Sequence, residues 1–481
     1  MNDYTQYYGF SSEEWDSCLK VLNQLKDKPL HNPDNKIFGT LITKVHKQAK
    51  KALKHIEVEV QEKTEESKKE KSKKEPRRKS RRQIHKAFDL NLVKASTIVS
   101  NAFSKTSFFS HDPTVLTTFT TLKSSKKCYC CDATYYEIHS FYHKLCPSCA
   151  TKNYAHRTLE LDLKGRHIIL TGGRVKIGYA LALKFLRSGA NLTLTSRFPA
   201  LNLKQLEQEH DYEDWKHRVT VYGLDLRNIR AVEKFIDFYK KNNDSLDILV
   251  NNAAQTISYT EEYYQPLIAK EQKFLMAFNE EQRLIANMTA MTDQVQTFNC
   301  LEPTAQECEV NRFGQPIDFR DKNSWNSTLT EVSTHELLEV NLINHISPYL
   351  LIKAFTPLLK ASPFDEKFII NVSSSEGQFS YANKTMYHPH TNMTKSALNM
   401  LTRTSALEYS HDNIYMNSVD VGWISTGAIE SKRQKLFEQG SVPPLDSVDG
   451  MARVIHPIYE ALEKKQFTFG KLLKDFKVVE W

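Results

Sequence analysis

The sequence predicts an α/β fold built on a doubly wound parallel sheet, and three observations carry that prediction. From Leu159 onward, apolar runs of strand length alternate with amphipathic stretches of helical length. The first apolar run ends in a glycine turn that opens directly into a helix, "RHIILTGGRVKIGYALALKFLRSG". The connections between runs are helical rather than hairpin-sized, which places the strands parallel with helices on both faces.

Taken in order, the chain of 481 residues is long enough for several domains, and its 40% apolar and 25% charged residues are ordinary for a globular protein. Its start, "MNDYTQYYGFSSEEW", has neither the basic nor the apolar region of a secretory signal. No apolar run approaches the ~18 residues that span a bilayer. The expected location is therefore the cytoplasm, with no membrane partner. Residues 1–60 read as a helical N-terminal region. Ser11 and Glu14 form a capping-box pattern, and Trp15, Cys18, Leu19, Leu22 and Leu25 follow on one helical face. Residues 61–85 read as a basic, disordered linker. Within Lys68–Arg82, "KKEKSKKEPRRKSRR", ten basic and two acidic residues account for the whole net charge of +8. The rest of the chain is balanced, which argues against a nucleic-acid-binding face. The run also fits a nuclear-targeting signal. Residues 86–127 show no clean period and are read as an irregular connection.

Residues 128–155 read as a Cys-rich zinc module. Five of the eight cysteines lie between Cys128 and Cys149. Cys128 and Cys131 form one C-x-x-C pair and Cys146 and Cys149 a second, the arrangement that completes a tetrahedron of thiolates around structural zinc. Cys130, His139 and His143 are alternative ligands, and a redox pair or buried free thiols are the alternatives to a metal. Residues 158–481 then form the sheet domain. Its strands are "RHIILTGG", "NLTLTSR", "VTVYGLDL", "LDILVNNAA", "KFIINVSSSEG" and "IYMNSVDVGWIST". Residues 257–327 are too long for a connection and read as an insertion.

The turn "TGGRVKIG", Thr171 to Gly178, stands where a dinucleotide fingerprint belongs, after a strand and at a helix N-terminus. Further along stand Asp225, the segment Asn251-Asn252-Ala253-Ala254, Asn341, "NVSSSEG", "TKSALN" and "VGWIST". In this order the motifs resemble the short-chain dehydrogenase/reductase superfamily, which has a Rossmann-type fold. The resemblance implies that Thr171, Gly172, Arg174, Lys176, Ile177 and Gly178 hold cofactor phosphates, that Asp225 meets adenine, and that Asn251 and Ala253 line the cleft. It implies Thr426 at the nicotinamide amide, Lys395 at its ribose, and Asn341, Ser374 and Lys395 in catalysis. The second strand ends in Arg197 with no acidic residue beside it, which favours NADP over NAD.

Two positions depart from the family. Lys176 replaces the middle glycine of the turn. Thr391 stands four residues before Lys395, where the family has the tyrosine that transfers the proton. A threonine alcohol does not titrate near neutrality, so Tyr387 or His390 in the preceding "YHPH" is expected to carry the proton. The functional expectation is an NADP-dependent oxidoreductase acting on a carbonyl or alcohol. The alternative is an NADP-binding pseudoenzyme whose zinc module and insertion hold a protein partner. Relatives often pair, so a homo-oligomer is a further expectation.

Overall fold

The computed structural model describes residues 9–25, 40–48, 81–101, 113–287, 311, 315–382, 384–425, 427 and 429–481. It divides into two compact units, Met1–Lys79 and Ser80–Trp481. In the first unit, helix α1 spans Ser12–Leu25. The capping box is formed: the Glu14 amide donates to Ser11 Oγ at 3.2 Å and the Ser11 amide to Glu14 Oε2 at 2.7 Å. The basic run from Lys68 to residue 80 lies outside the described residues.

The second unit begins with helix α2, Arg81–Ala95. The segment that reads as irregular carries regular structure. Strand β1, Phe119–Lys127, pairs antiparallel with β2, Thr134–His139. Most of β1 faces solvent and seven of its nine residues are Ser, Thr or Lys, so it lacks the apolar alternation that marks a strand. Helix α3, Pro147–His156, follows the second Cys pair.

The sheet proper has nine strands among the described residues. They are β3 (His167–Thr171), β4 (Asn191–Ser196), β5 (Val219–Gly223), β6 (Ile248–Asn251), β7 (Ala286–Asn287), β8 (Lys367–Ser373), β9 (Ile414–Asp420), β10 (Leu472–Lys474) and β11 (Lys477–Val479). Their spatial order is β11-β10-β9-β8-β6-β3-β4-β5-β7, parallel throughout except for the β10–β11 hairpin. The central strands alternate between two cores, as strands covered on both faces must. Ile168 and Leu170 join one cluster and Ile169 the other, and Ile248, Val250 and Leu249 repeat the division. Each such side chain contributes about 1.5–3 kcal/mol on burial.

The chain winds from β3 outward to β5, then returns to β6 on the other side of β3. That reversal opens a crevice at the carboxyl ends of the strands, the place where such sheets take ligands. Part of the segment read as an insertion joins the sheet: β7 extends the β5 edge, and helix α4, Glu261–Ala277, packs on the helix after β4, its Glu271 accepting from the amides of Ala200 and Leu201 at 2.7 and 2.8 Å. Residues 288–310 lie outside the described residues.

The Cys-rich segment has no core of its own. Tyr135, Tyr142, Leu145 and Tyr154 belong to the same cluster as Leu170, Val454 and Ile458 of the sheet domain. Buried Arg157 ties the two together, with Nη1 2.8 Å from Asp446 and 3.0 Å from Asp449.

Candidate active site

A cavity of about 730 Å³ opens at the switch point. Its floor is the glycine turn. Gly172 sits at φ +72° and a Cβ there would meet the Ala253 Cβ at 3.0 Å. A Cβ on Gly178 would lie 1.9 Å from the Gly172 carbonyl oxygen, so only glycine fits. Lys176 occupies the family's glycine position and keeps its left-handed backbone, with φ 54°. It opens the helix Lys176–Arg187, whose N-terminus has no side-chain cap, so its amides stay available to the cleft. The Lys176 ammonium reaches Ser425 Oγ at 3.4 Å.

Thr171 and Asn251 lie behind this floor and brace it. Thr171 Oγ1 accepts from the amides of Asn252 and Ala253, both at 3.0 Å. Asn251 Nδ2 donates to Asn371 Oδ1 at 2.8 Å within the sheet. Ile177 and Ala253 line the cleft itself. Asp225 also lines the cleft, and both its oxygens are engaged by the Arg227 guanidinium, at 3.0 and 2.5 Å. Burial raises the Asp225 carboxyl, Arg227 lowers it further, and the net direction is down.

Two cations share one end of the cleft. Burial and then the neighbouring Arg197 push the Arg174 guanidinium down to about 10. Arg197 stacks over Tyr264 of the insertion, 4.9 Å to the ring centre, and donates to its hydroxyl at 3.3 Å. Sequence reasoning gave the insertion no role here, because Tyr264 carries no motif.

At the other end stand Ser374, Tyr387, Thr391 and Lys395. Lys395 is buried, donates to the Val372 carbonyl at 2.7 Å, and is lowered to about 8 by burial against the opposing pull of Glu376 and Asp420. Thr391 fills the tyrosine position with a buried hydroxyl that has no hydrogen-bond partner among the described residues. His390 is turned away from the cleft, its Nε2 3.3 Å from Glu336, because the helix Pro389–Ser410 has already begun there and sets its direction. Asn341 also points elsewhere: its amide donates back to the Leu337 carbonyl at 2.6 Å. A π turn, Leu342–Ile346, follows it and turns Asn344 inward instead. Asn344 donates to Thr394 Oγ1 at 3.0 Å and to the Gln255 carbonyl at 2.9 Å. Thr426 lies outside the described residues.

The cleft contains a cluster that no motif announced. His388 adopts φ 42° and ψ 51°, stacks on Trp325 at 4.7 Å, and places Nδ1 2.9 Å from the Trp325 carbonyl. A carbonyl only accepts, so Nδ1 carries a hydrogen. The other nitrogen, Nε2, lies 3.8 Å from Glu376 Oε1. Burial raises the Glu376 carboxyl, but His388 and the Ser374 hydroxyl outweigh it and hold it near 2. The available signal was His388 beside Tyr387 in "YHPH" and a carboxylate inside "SSSEG".

Fold and cleft together define a Rossmann-type dinucleotide-binding protein. A family model described as short chain dehydrogenase matches residues 166–270, and one described as Enoyl-(Acyl carrier protein) reductase matches residues 319–443. The chain belongs to the short-chain dehydrogenase/reductase superfamily. Residues 271–318 lie between the two matches, inside the segment read as an insertion. An uncharacterised protein of Acanthamoeba polyphaga mimivirus is 31% identical over 360 residues, 72% of this chain and 73% of its own. The WW domain-containing oxidoreductase of Gallus gallus is 36% identical over 94 residues, covering 19% of this chain and only 22% of that relative. The crystal structure of an NADPH-bound carbonyl reductase from chicken fatty liver has 17% identity and a TM-score of 0.42, covering 67% of this chain and all of the other.

Proposed function

We propose that the protein is an NADP-dependent oxidoreductase that interconverts a carbonyl compound and its alcohol. The observation carrying this reading is that one cleft joins the glycine turn and Arg197 to Ser374, His388 and Lys395. The residues fit the cofactor, since the glycine turn and the helix Lys176–Arg187, whose N-terminus has no side-chain cap, line the cleft. Gly172, Lys176, Ile177 and the helix amides would hold its phosphates, and Arg174 with Arg197 a 2′-phosphate, whose charge relieves their mutual repulsion. When bound, the nicotinamide supplies hydride exchange.

The chain's own residues do the remainder. Ser374, whose hydroxyl otherwise bonds Glu376, turns its one hydrogen to the substrate oxygen. His388 passes the proton through Nε2, the nitrogen not turned to the Trp325 carbonyl, which lies 3.8 Å from Glu376 Oε1. Tyr387 lines the same wall and is the second candidate for the proton, whereas His390 faces away. Lys395 positions the nicotinamide ribose. NADPH consumption over a panel of aldehydes and ketones, by wild type and by His388→Asn and Tyr387→Phe, tests the assignment. Tight NADPH binding with no turnover on any of them would overturn it.

We also propose a structural zinc at Cys128, Cys131, Cys146 and Cys149. Their sulfurs all lie within 4.8 Å of one another. Tetrahedral zinc, with Zn–S of about 2.3 Å, needs sulfurs roughly 3.8 Å apart, and Cys131 and Cys146 lie 3.6 Å apart.

A further inference from the structure

The Cys-rich segment lies against the rim of the dinucleotide cleft, and one side chain makes the connection. Tyr129 sits inside the first knuckle, between Cys128 and Cys131, and its ring lines the cavity. Its hydroxyl accepts the Trp423 amide at 2.7 Å. Gly422 holds φ +79°, and a Cβ there would lie 3.4 Å from this hydroxyl. Trp423 and the following Ile424 and Ser425 also line the cleft, and Ser425 receives the Lys176 ammonium from the phosphate turn.

The second knuckle grips the same loop. The Lys144 ammonium lies 4.7 Å from the centre of the Trp423 ring and donates to the Val442 carbonyl at 3.3 Å. Lys144 and Tyr129 are joined through their backbones, the Tyr129 amide donating to the Lys144 carbonyl at 2.8 Å. The Cys146 amide donates to Cys128 Sγ at 3.3 Å, so the two knuckles close on each other beneath these contacts. On the outer side, Cys130 reaches Asp475, which pairs with buried Arg453 at 2.6 Å.

We propose that the four-cysteine centre is a control point for the dinucleotide cleft: its metal fixes the two knuckles, and Tyr129 and Lys144 pass that constraint to the Gly422–Ser425 rim. The proposal rests on the zinc and NADP readings above. Without a metal only hydrogen bonds and packing tie the two knuckles together, whereas a divalent ion bonded to all four sulfurs pins them. Tyr129 is then a positioning residue for the ligand-binding rim. Linkage makes the effect reciprocal, so a ligand in the cleft must strengthen metal retention by the same factor.

The test uses the full chain and three preparations: zinc-loaded wild type, wild type stripped with a chelator, and zinc-loaded Tyr129→Phe. Each is titrated with NADPH by fluorescence, with zinc content and far-UV circular dichroism measured alongside. Stripping is expected to weaken NADPH binding at least tenfold, reversed by added zinc. Tyr129→Phe, which loses one hydrogen bond, should keep its zinc and weaken NADPH roughly fivefold. Saturating NADPH should raise the concentration of chromogenic chelator needed to remove half the zinc, and Tyr129→Phe should reduce that protection. Equal NADPH affinity with and without zinc at unchanged circular dichroism would overturn the coupling alone. Absence of NADPH binding by zinc-loaded wild type would overturn the cofactor reading and the coupling with it. If stripping unfolds the domain, an unchanged affinity and unchanged zinc protection in Tyr129→Phe still overturn it.

Discussion

The two ends of the cleft have diverged from the family in different ways. At the glycine turn the departure is a side chain on a left-handed backbone: Lys176 stands where the family's pattern has glycine, at φ 54°. At the reacting end the geometry itself has changed. Thr391 fills the tyrosine position, and His388, Glu376 and Trp325 stand together in the cleft near it. The phosphate end works through backbone amides, which any side chain able to adopt the turn can supply. The reacting end needs a titratable atom, and when one is lost another must enter from elsewhere.

The largest effect that can break this contrast is at the reacting end. His388→Asn should lower turnover by about 10²–10⁴, the usual worth of a general acid, with NADPH affinity unchanged in fluorescence titration. A larger loss in Tyr387→Phe would move the proton to the phenol. At the phosphate end Gly178→Ala drives a Cβ into the Gly172 carbonyl. It should abolish NADPH binding and lower stability to urea by about 1–3 kcal/mol, the cost of overpacking. Arg197→Glu should weaken NADPH by roughly 10–100-fold, the worth of charge-assisted bonds, while leaving NADH within a factor of two or so. A parallel loss for both would remove Arg197 from the 2′-phosphate.

A smaller effect sharpens the claim that Lys176 is strained. Lys176→Gly relieves a left-handed side chain and should stabilise the domain by about 1 kcal/mol, read from the urea midpoint. The mildest test uses pH. Burial lowers Lys395 from 10.5 to about 8, so between those values the unfolded chain binds more protons than the folded one. Stability attributable to this group therefore rises with pH from about 8 to 10.5. Lys395→Met should flatten that rise in melting temperature.

What the sequence disclosed follows the same division. The central strands were legible because β-branched runs such as "HIILT" and "ILVN" are buried on both faces and bounded by turns. The glycine turn was legible because its chemistry is local. β7 and the β10–β11 hairpin escaped because two or three residues show no period. β1 escaped because its faces are polar. At the site, Asn341 and His390 have the right spacing but the wrong direction, which the π turn and the helix start decide. His388 and Glu376 meet only through folding, and Trp325 stands in a stretch that carries no motif. Residues that act through backbone conformation can be read from order along the chain. Residues that act through a side chain's direction cannot.

The central claim is that the cofactor end is intact while the proton has moved to His388. Single-turnover NADPH oxidation, by wild type and His388→Asn preloaded with NADPH and mixed with a carbonyl substrate, tests it most directly. The account predicts equal NADPH occupancy in the two proteins and a rate at least about 10²-fold slower in the variant. Equal rates at equal occupancy would contradict it.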